Sequence, residues 1–222
     1  MNVKALCPYL RDTLVVPLAK ELQAQGAEVH LWAVEEWKPE VVTLTRGFGR
    51  AGKFVLINRL SSYLADAEYV LLFDDDIRIP PNFCVEMLQS MQAFGMEIAQ
   101  PALTVNSYHS HNITLQRTDT WVRFTNFVES GPVVMFTRHA FDYLIPFESQ
   151  NTMGWGFDVE WSKIAADRGW PIGVVDTCPI EHTYRPVNAT YSRKGARRDM
   201  REYLRQRNLA FPPPTVLSNY KR

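Results

Sequence analysis

Short, unbroken apolar runs alternate with helical stripes along most of this chain. Val3 to Leu6, Val29 to Val34, Val70 to Phe73, Ile98 to Leu103, Gly131 to Phe136 and Ile172 to Asp176 are predicted strands. The Val70 run has the form of a strand buried on both faces, as the interior of a parallel sheet requires. Between the runs, apolar residues recur at helical spacing. Leu14, Leu18 and Leu22 mark a helix over Pro17 to Gln25 that stops at Gly26, and Pro17 places its start near Val16 because proline is tolerated only in a first turn. Leu56, Ile57, Leu60 and Leu64 mark a second helix, and Phe83, Met87, Leu88 and Met91 a third that starts at Pro80-Pro81. Arg138 to Leu144 and the stretch carrying Trp161, Ile164 and Ala165 are two more. The chain therefore opens as a β-α-β unit. Glu35 to Arg46 reads as irregular apart from a short strand at Val41 to Leu44, and Thr104 to Phe127 as one long polar and aromatic loop. A loop of that length inside a compact domain is usually functional or mobile.

The chain's 222 residues make one large domain or two small ones. Formal net charge is zero, so no bulk electrostatic drive toward nucleic acid is implied. Cys7, Cys84 and Cys178 are widely spaced and form no C-x-x-C pair, which argues against a disulfide framework and for a reducing, cytoplasmic setting. No apolar run approaches the ~20 residues of a membrane span, so any membrane contact is expected to be peripheral. Charge is nonetheless uneven. Arg193, Lys194, Arg197, Arg198, Arg201, Arg205 and Arg207 crowd a predicted helix before an extended tail opening at Pro212. Such a segment can hold anionic lipid or a phosphorylated substrate, and it equally fits a solvated helix packed at the domain edge by Met200, Tyr203 and Leu204. This shift divides the chain into 1–190 and 191–222.

Three features carry candidate chemistry. The Val70 strand ends in Asp74-Asp75-Asp76, at the sheet edge where open α/β folds place ligands. If the segment stays extended, Asp74 and Asp76 point to one side and Asp75 to the other, and the pair offers hard oxygen ligands for Mg²⁺ or Mn²⁺. A solvated acidic turn fits the same residues. Arg46 to Lys53 is a basic glycine loop ahead of a helix, suited to an anion but lacking the Walker A spacing. Gly154-Trp155-Gly156-Phe157-Asp158 frees an indole between two glycines and sets Asp158 in the first turn of a helix, where it can serve as a cap or as a reactive carboxylate. His109 and His111 are better suited to a surface or substrate-facing role than to a structural metal, and His182 follows the last strand alone.

Taken in order, the β-α-β start, the basic glycine loop with Asn58, the run from Ala65 to Asp76, Gly154 to Asp158 and finally Glu181-His182 resemble the nucleotide-sugar-dependent glycosyltransferases of the GT-A fold, over roughly residues 1 to 190. The resemblance implies a single α/β domain with a mostly parallel central sheet flanked by helices. It implies Asp74 and Asp76 as ligands of Mn²⁺ or Mg²⁺, completed by His182, and Asp75, Lys53, Arg50 and Asn58 as the donor-binding set. It further implies Asp158 as the catalytic base of an inverting reaction, and Trp155, Gly156 and Glu129 as substrate contacts. Glu129 and Asp176 are reserve candidates for the base. The expected partners are a nucleoside-diphosphate sugar and a glycan or lipid-linked acceptor, with no nucleic acid. The Thr/Asn-rich entry of the first strand, common in the family, is absent, which leaves the nucleotide open. Two other readings use the same residues: a nucleotidyltransferase on a related sheet, and a carbohydrate-binding module without turnover.

Overall fold

A computed structural model describes residues 2–148, 150–151, 153–186, 189 and 191–222. The predicted strands appear as β1 (Val3–Tyr9), β2 (Glu28–Ala33), β4 (Tyr69–Phe73), β5 (Ile98–Leu103), β7 (Val133–Thr137) and β8 (Ile172–Ile180). With β3 (Thr45–Phe48), β6 (Thr120–Thr125) and β9 (Val216–Lys221) they form one sheet in the order β3-β2-β1-β4-β7-β5-β8-β6-β9. The helices are α1 (Val15–Ala24), α2 (Lys53–Leu60), α3 (Phe83–Phe94), α4 (Arg138–Leu144), α5 (Phe157–Arg168) and α6 (Arg193–Gln206).

The apolar stripes cover the two faces of this sheet. Leu18 and Leu22 of α1 and Phe83, Met87 and Met91 of α3 pack with Leu71 and Phe73 on one side. On the other, Phe54 and Ile57 of α2, Phe141 of α4, Phe157 and Trp161 of α5 and Tyr203 and Leu204 of α6 close over Leu72 and Phe136. The basic helix is thus fastened through its short apolar stripe, which leaves its arginines outside.

Three expectations need correction. The sheet is evenly mixed: β1, β2, β3 and β4 pair in parallel, as do β5 and β8, whereas β7 runs antiparallel to both β4 and β5, and β6 to both β8 and β9. The reason lies at Pro132, whose carbonyl accepts the Asp74 amide at 2.8 Å, so β7 enters from the end where β4 leaves and must run back beside it. Val41 to Leu44 belongs to a 3-10 turn (Pro39–Leu44), and the strand follows it, inside the glycine-rich segment. Thr104 to Phe127 is not all loop, since it contains β6. Arg123 is fully buried there and paired with Asp176, so a strand with a charged centre does not show as an apolar run.

Candidate active site

Strand β4 delivers the three aspartates to the sheet edge, and each takes a different partner. Lys53, first residue of α2, pairs with Asp74 at 2.5 Å. A β-carbon on Gly131 would stand 3.2 Å from both of these side chains, so glycine there leaves the pair its room. Asp75 accepts the Leu10 amide at 2.7 Å and also meets the Arg185 guanidinium. Asp76 receives Arg185 Nε at 3.1 Å and lies 3.4 Å from His182 Nε2. The expected alternation therefore fails: Asp75 and Asp76 share one arginine, while Asp74 turns to Lys53. The strand ends at Phe73 and the next residues turn, so the two-residue period of an extended chain does not apply.

His182 is held from behind. Its Nδ1 lies 3.1 Å from the Tyr108 carbonyl and its amide donates to Ser107 Oγ at 3.0 Å, an arrangement that presents Nε2 to Asp76. Burial lowers the affinity of His182 for a proton, but Asp76 beside it more than compensates and leaves it above the ordinary histidine range. Burial likewise opposes ionisation of Asp76, while His182 and Arg185 together hold its carboxyl below the usual value.

The facing wall is built from Gly154 to Asp158. Gly154 has φ +76° and Gly156 φ +99°, a region that favours glycine, and a β-carbon on Gly154 would come within 2.0 Å of the Phe54 ring. This turn ends at the first residues of α5. Asp158 Oδ1 accepts the amides of Gly156 at 3.1 Å and Val159 at 2.9 Å, yet burial still pushes its carboxyl up to about 7. Trp155 donates from Nε1 to the Tyr191 hydroxyl at 3.1 Å, which fixes the indole along the wall. Glu129 is raised to about 8, by burial first and then by the charge of Asp158.

Arg50, Lys53, Asp74, Asp75, Asp76, Glu129, Trp155, Gly156, Asp158 and His182 all line one cavity of about 1030 Å³, as do His109 and His111. Two sequence-predicted residues do not. Asn58 clamps the backbone of Phe147, donating to its carbonyl and accepting its amide, both at 2.8 Å. With both functional atoms so used, Asn58→Ala is expected to cost about 1–2 kcal/mol in urea denaturation and to leave nucleotide affinity unchanged. Asp176 forms a buried two-point ion pair with Arg123, at 2.7 and 2.9 Å, and its chemistry is spent there. Sequence reasoning missed Arg185, Tyr108 and Tyr191. None carries a local signal, because each acquires its role from a partner distant in the chain.

Among the described residues, no group of three or more side chains is arranged to hold a metal. The donor set nevertheless fits a hard divalent ion, because Asp76 and His182 offer an oxygen and an anchored imidazole nitrogen side by side, and Mg²⁺ or Mn²⁺ commonly fills its remaining positions with water and substrate phosphate. Arg185 now covers the same Asp76 oxygen and would have to yield it.

Compared by sequence, the chain matches no family profile and no curated protein. Compared by structure, it has the fold of the GT-A glycosyltransferases. GalNAc-T7, solved with UDP, GalNAc and Mn²⁺, superposes with a TM-score of 0.65 at 12% identity over 92% of this chain and 48% of its own. S. aureus TarS 1–349 in complex with UDP-GlcNAc gives 0.63 at 13% identity, over 96% of this chain and 68% of its own. Another structure of S. aureus TarS gives 0.56 at 12% identity, over 92% and 43%. The chain thus spans about half the length of GalNAc-T7 and less than half of that TarS chain. No helix among the described residues is long and apolar enough to cross a membrane.

Proposed function

We propose that this chain is a metal-dependent glycosyltransferase that moves a sugar from a nucleoside-diphosphate donor to a hydroxyl of a glycan or lipid-linked acceptor, with inversion. The observation that carries this reading is the meeting of Asp76 and His182, far apart in sequence, at 3.4 Å on the wall of the cavity that also holds Asp158. Arg50 and Lys53 line the cavity with positive charge suited to the diphosphate, each now paired with a carboxylate, Glu35 and Asp74 respectively, and Trp155 brings a flat apolar face for a sugar ring. A divalent ion held by Asp76 and His182, with Asp74 and Asp75 beside them, would stabilise charge on the departing diphosphate. Asp158 takes the proton from the acceptor hydroxyl as its oxygen bonds to the anomeric carbon, and the bond from that carbon to the diphosphate oxygen breaks with its electron pair on the leaving group. A carboxyl held near 7 is matched to this task, since it is ionised in a useful fraction at neutral pH and still basic enough to accept a proton.

Thermal melting with Mn²⁺ and UDP-, GDP-, CMP- and dTDP-compounds tests the reading. One nucleotide is expected to raise Tm by about 5–10 °C when present near a hundredfold excess over its Kd, and only with metal. Asp76→Asn should lose that shift. A parental shift in the Asp76 variant would overturn the metal assignment, and no shift with any nucleotide would favour a binding module without turnover.

A further inference from the structure

Glu129, which the resemblance offers as a substrate contact, takes no part in the transfer step above. It lies just ahead of β7, and its amide donates to the buried Gln100 Oε1 at 2.6 Å, which fixes the backbone. Its side chain is nine-tenths buried, and what remains open lines the cavity. The backbone amides of His111 and Ser110 favour the charged form of this carboxyl, but Oε1 makes no hydrogen bond of good geometry, and His111 Nε2, at 4.0 Å, is too far to serve as a partner. A buried carboxyl oxygen left in this state is costly, and native proteins retain such groups mainly where a water or ligand completes them.

The surroundings say what would complete it. Burial and the nearby Asp158 keep Glu129 protonated at neutral pH, so it both donates and accepts a hydrogen bond, as a hydroxyl does. Glu129 and Asp158 line the same cavity, and the charge of Asp158 adds to burial in raising Glu129. Beside Glu129, the His111 ring stacks on Phe211 at 5.4 Å and 21°, with Phe127 against the same histidine at 4.9 Å. Phe211 borders the cavity and is partly exposed, offering an apolar face for the C–H side of a sugar or polyol.

We propose that Glu129 and the His111–Phe211 stack form the acceptor subsite, in which Glu129 holds a hydroxyl next to the one that Asp158 deprotonates, so that the acceptor is a sugar or polyol bearing two neighbouring hydroxyls. This rests on the transferase reading above. The subsite selects by hydrogen bonding, and a site built to bond a hydroxyl rejects an analogue that lacks it.

The test uses the full chain with Mn²⁺, the nucleotide sugar that shifts its melting, and methyl pyranosides and linear polyols as acceptor probes, read as nucleoside diphosphate release. The probe that stimulates release most is then compared with its analogue lacking the neighbouring hydroxyl. The parent protein is expected to prefer the intact probe by about tenfold or more in kcat/KM. Glu129→Leu should lose most of that preference, with Glu129→Gln between the two, while the nucleotide-dependent melting shift persists in both. Because an unpartnered buried carboxyl is removed, Glu129→Leu should melt at or above the parent. A preference that survives in Glu129→Leu overturns the proposal, as does a loss of nucleotide binding in step with it. Donor turnover that no probe stimulates refutes the sugar-or-polyol assignment alone. A parent protein that binds no nucleotide refutes the transferase reading, and this inference with it.

Discussion

Asp158→Asn is expected to lower turnover by about 10²–10⁴-fold while leaving metal-dependent nucleotide binding in place. An amide oxygen can still accept the Gly156 and Val159 amides, so the turn into α5 survives and the loss is one of basicity. The same substitution should change how stability depends on pH. An aspartate ordinarily titrates near 3.8, whereas Asp158 in the folded protein titrates near 7. The folded state therefore binds its proton more tightly than the unfolded chain does. That contribution to stability is complete below about 4 and is lost as pH rises through 7. Glu129 behaves in the same way between its ordinary 4.5 and about 8. Parent Tm should thus fall from pH 5.5 to 8.5, and Asp158→Asn should fall less steeply and melt above the parent at the alkaline end. Activity of the parent runs the other way and rises through about pH 7 as the base ionises. Steady-state kinetics and melting at three pH values check both limbs. An Asn variant with parental turnover would move the base elsewhere, with Glu129, another carboxyl lining the cavity, the first to test.

Asp176→Ala should be the most destabilising of these changes. Asp176 and Arg123 are both completely buried, and Arg123 also donates to the carbonyls of Ile113 and Leu115, at 2.6 and 2.9 Å. Removing the carboxylate leaves a buried guanidinium without a counter-ion, a loss of about 3–5 kcal/mol. In a chain of this size that lowers Tm by about ten degrees or more. The double change Asp176→Leu with Arg123→Met removes both charges and should recover much of the difference. The contrast with Asp158 is the useful outcome: Asp176→Ala loses stability first, and activity largely through the loops that Arg123 ties down. Urea denaturation reads it directly. A variant that melts within a degree or two of the parent would show that the pair is not essential to the fold.

Much of this arrangement is legible in the residues alone. Strands β1, β2, β4, β5, β7 and β8 announce themselves because a buried strand must be apolar throughout, and α1, α3 and α4 because one face must be. The acidic end of β4 and the two glycines around Trp155 are likewise local signals, each tied to a backbone or charge requirement within a few residues. Strand β6 is hidden by Arg123, whose burial is possible only because Asp176 lies opposite. Asn58 and Arg185 mislead in opposite directions for one reason, a partner distant in the chain. Asn58, which the resemblance offers as a donor contact, is committed to Phe147, whereas Arg185, which carries no local signal, bridges Asp75 and Asp76.

The sequence alone determined the six apolar strands and the helices and that three carboxylates end a central strand, because burial and backbone geometry act over a few residues at a time. Only the tertiary structure decided the antiparallel course of β7, the gathering of His182 and Arg185 at Asp76, and the elevation of Asp158 and Glu129. Those depend on desolvation and on charges brought near by folding, and both are properties of distance in space that spacing along the chain does not encode.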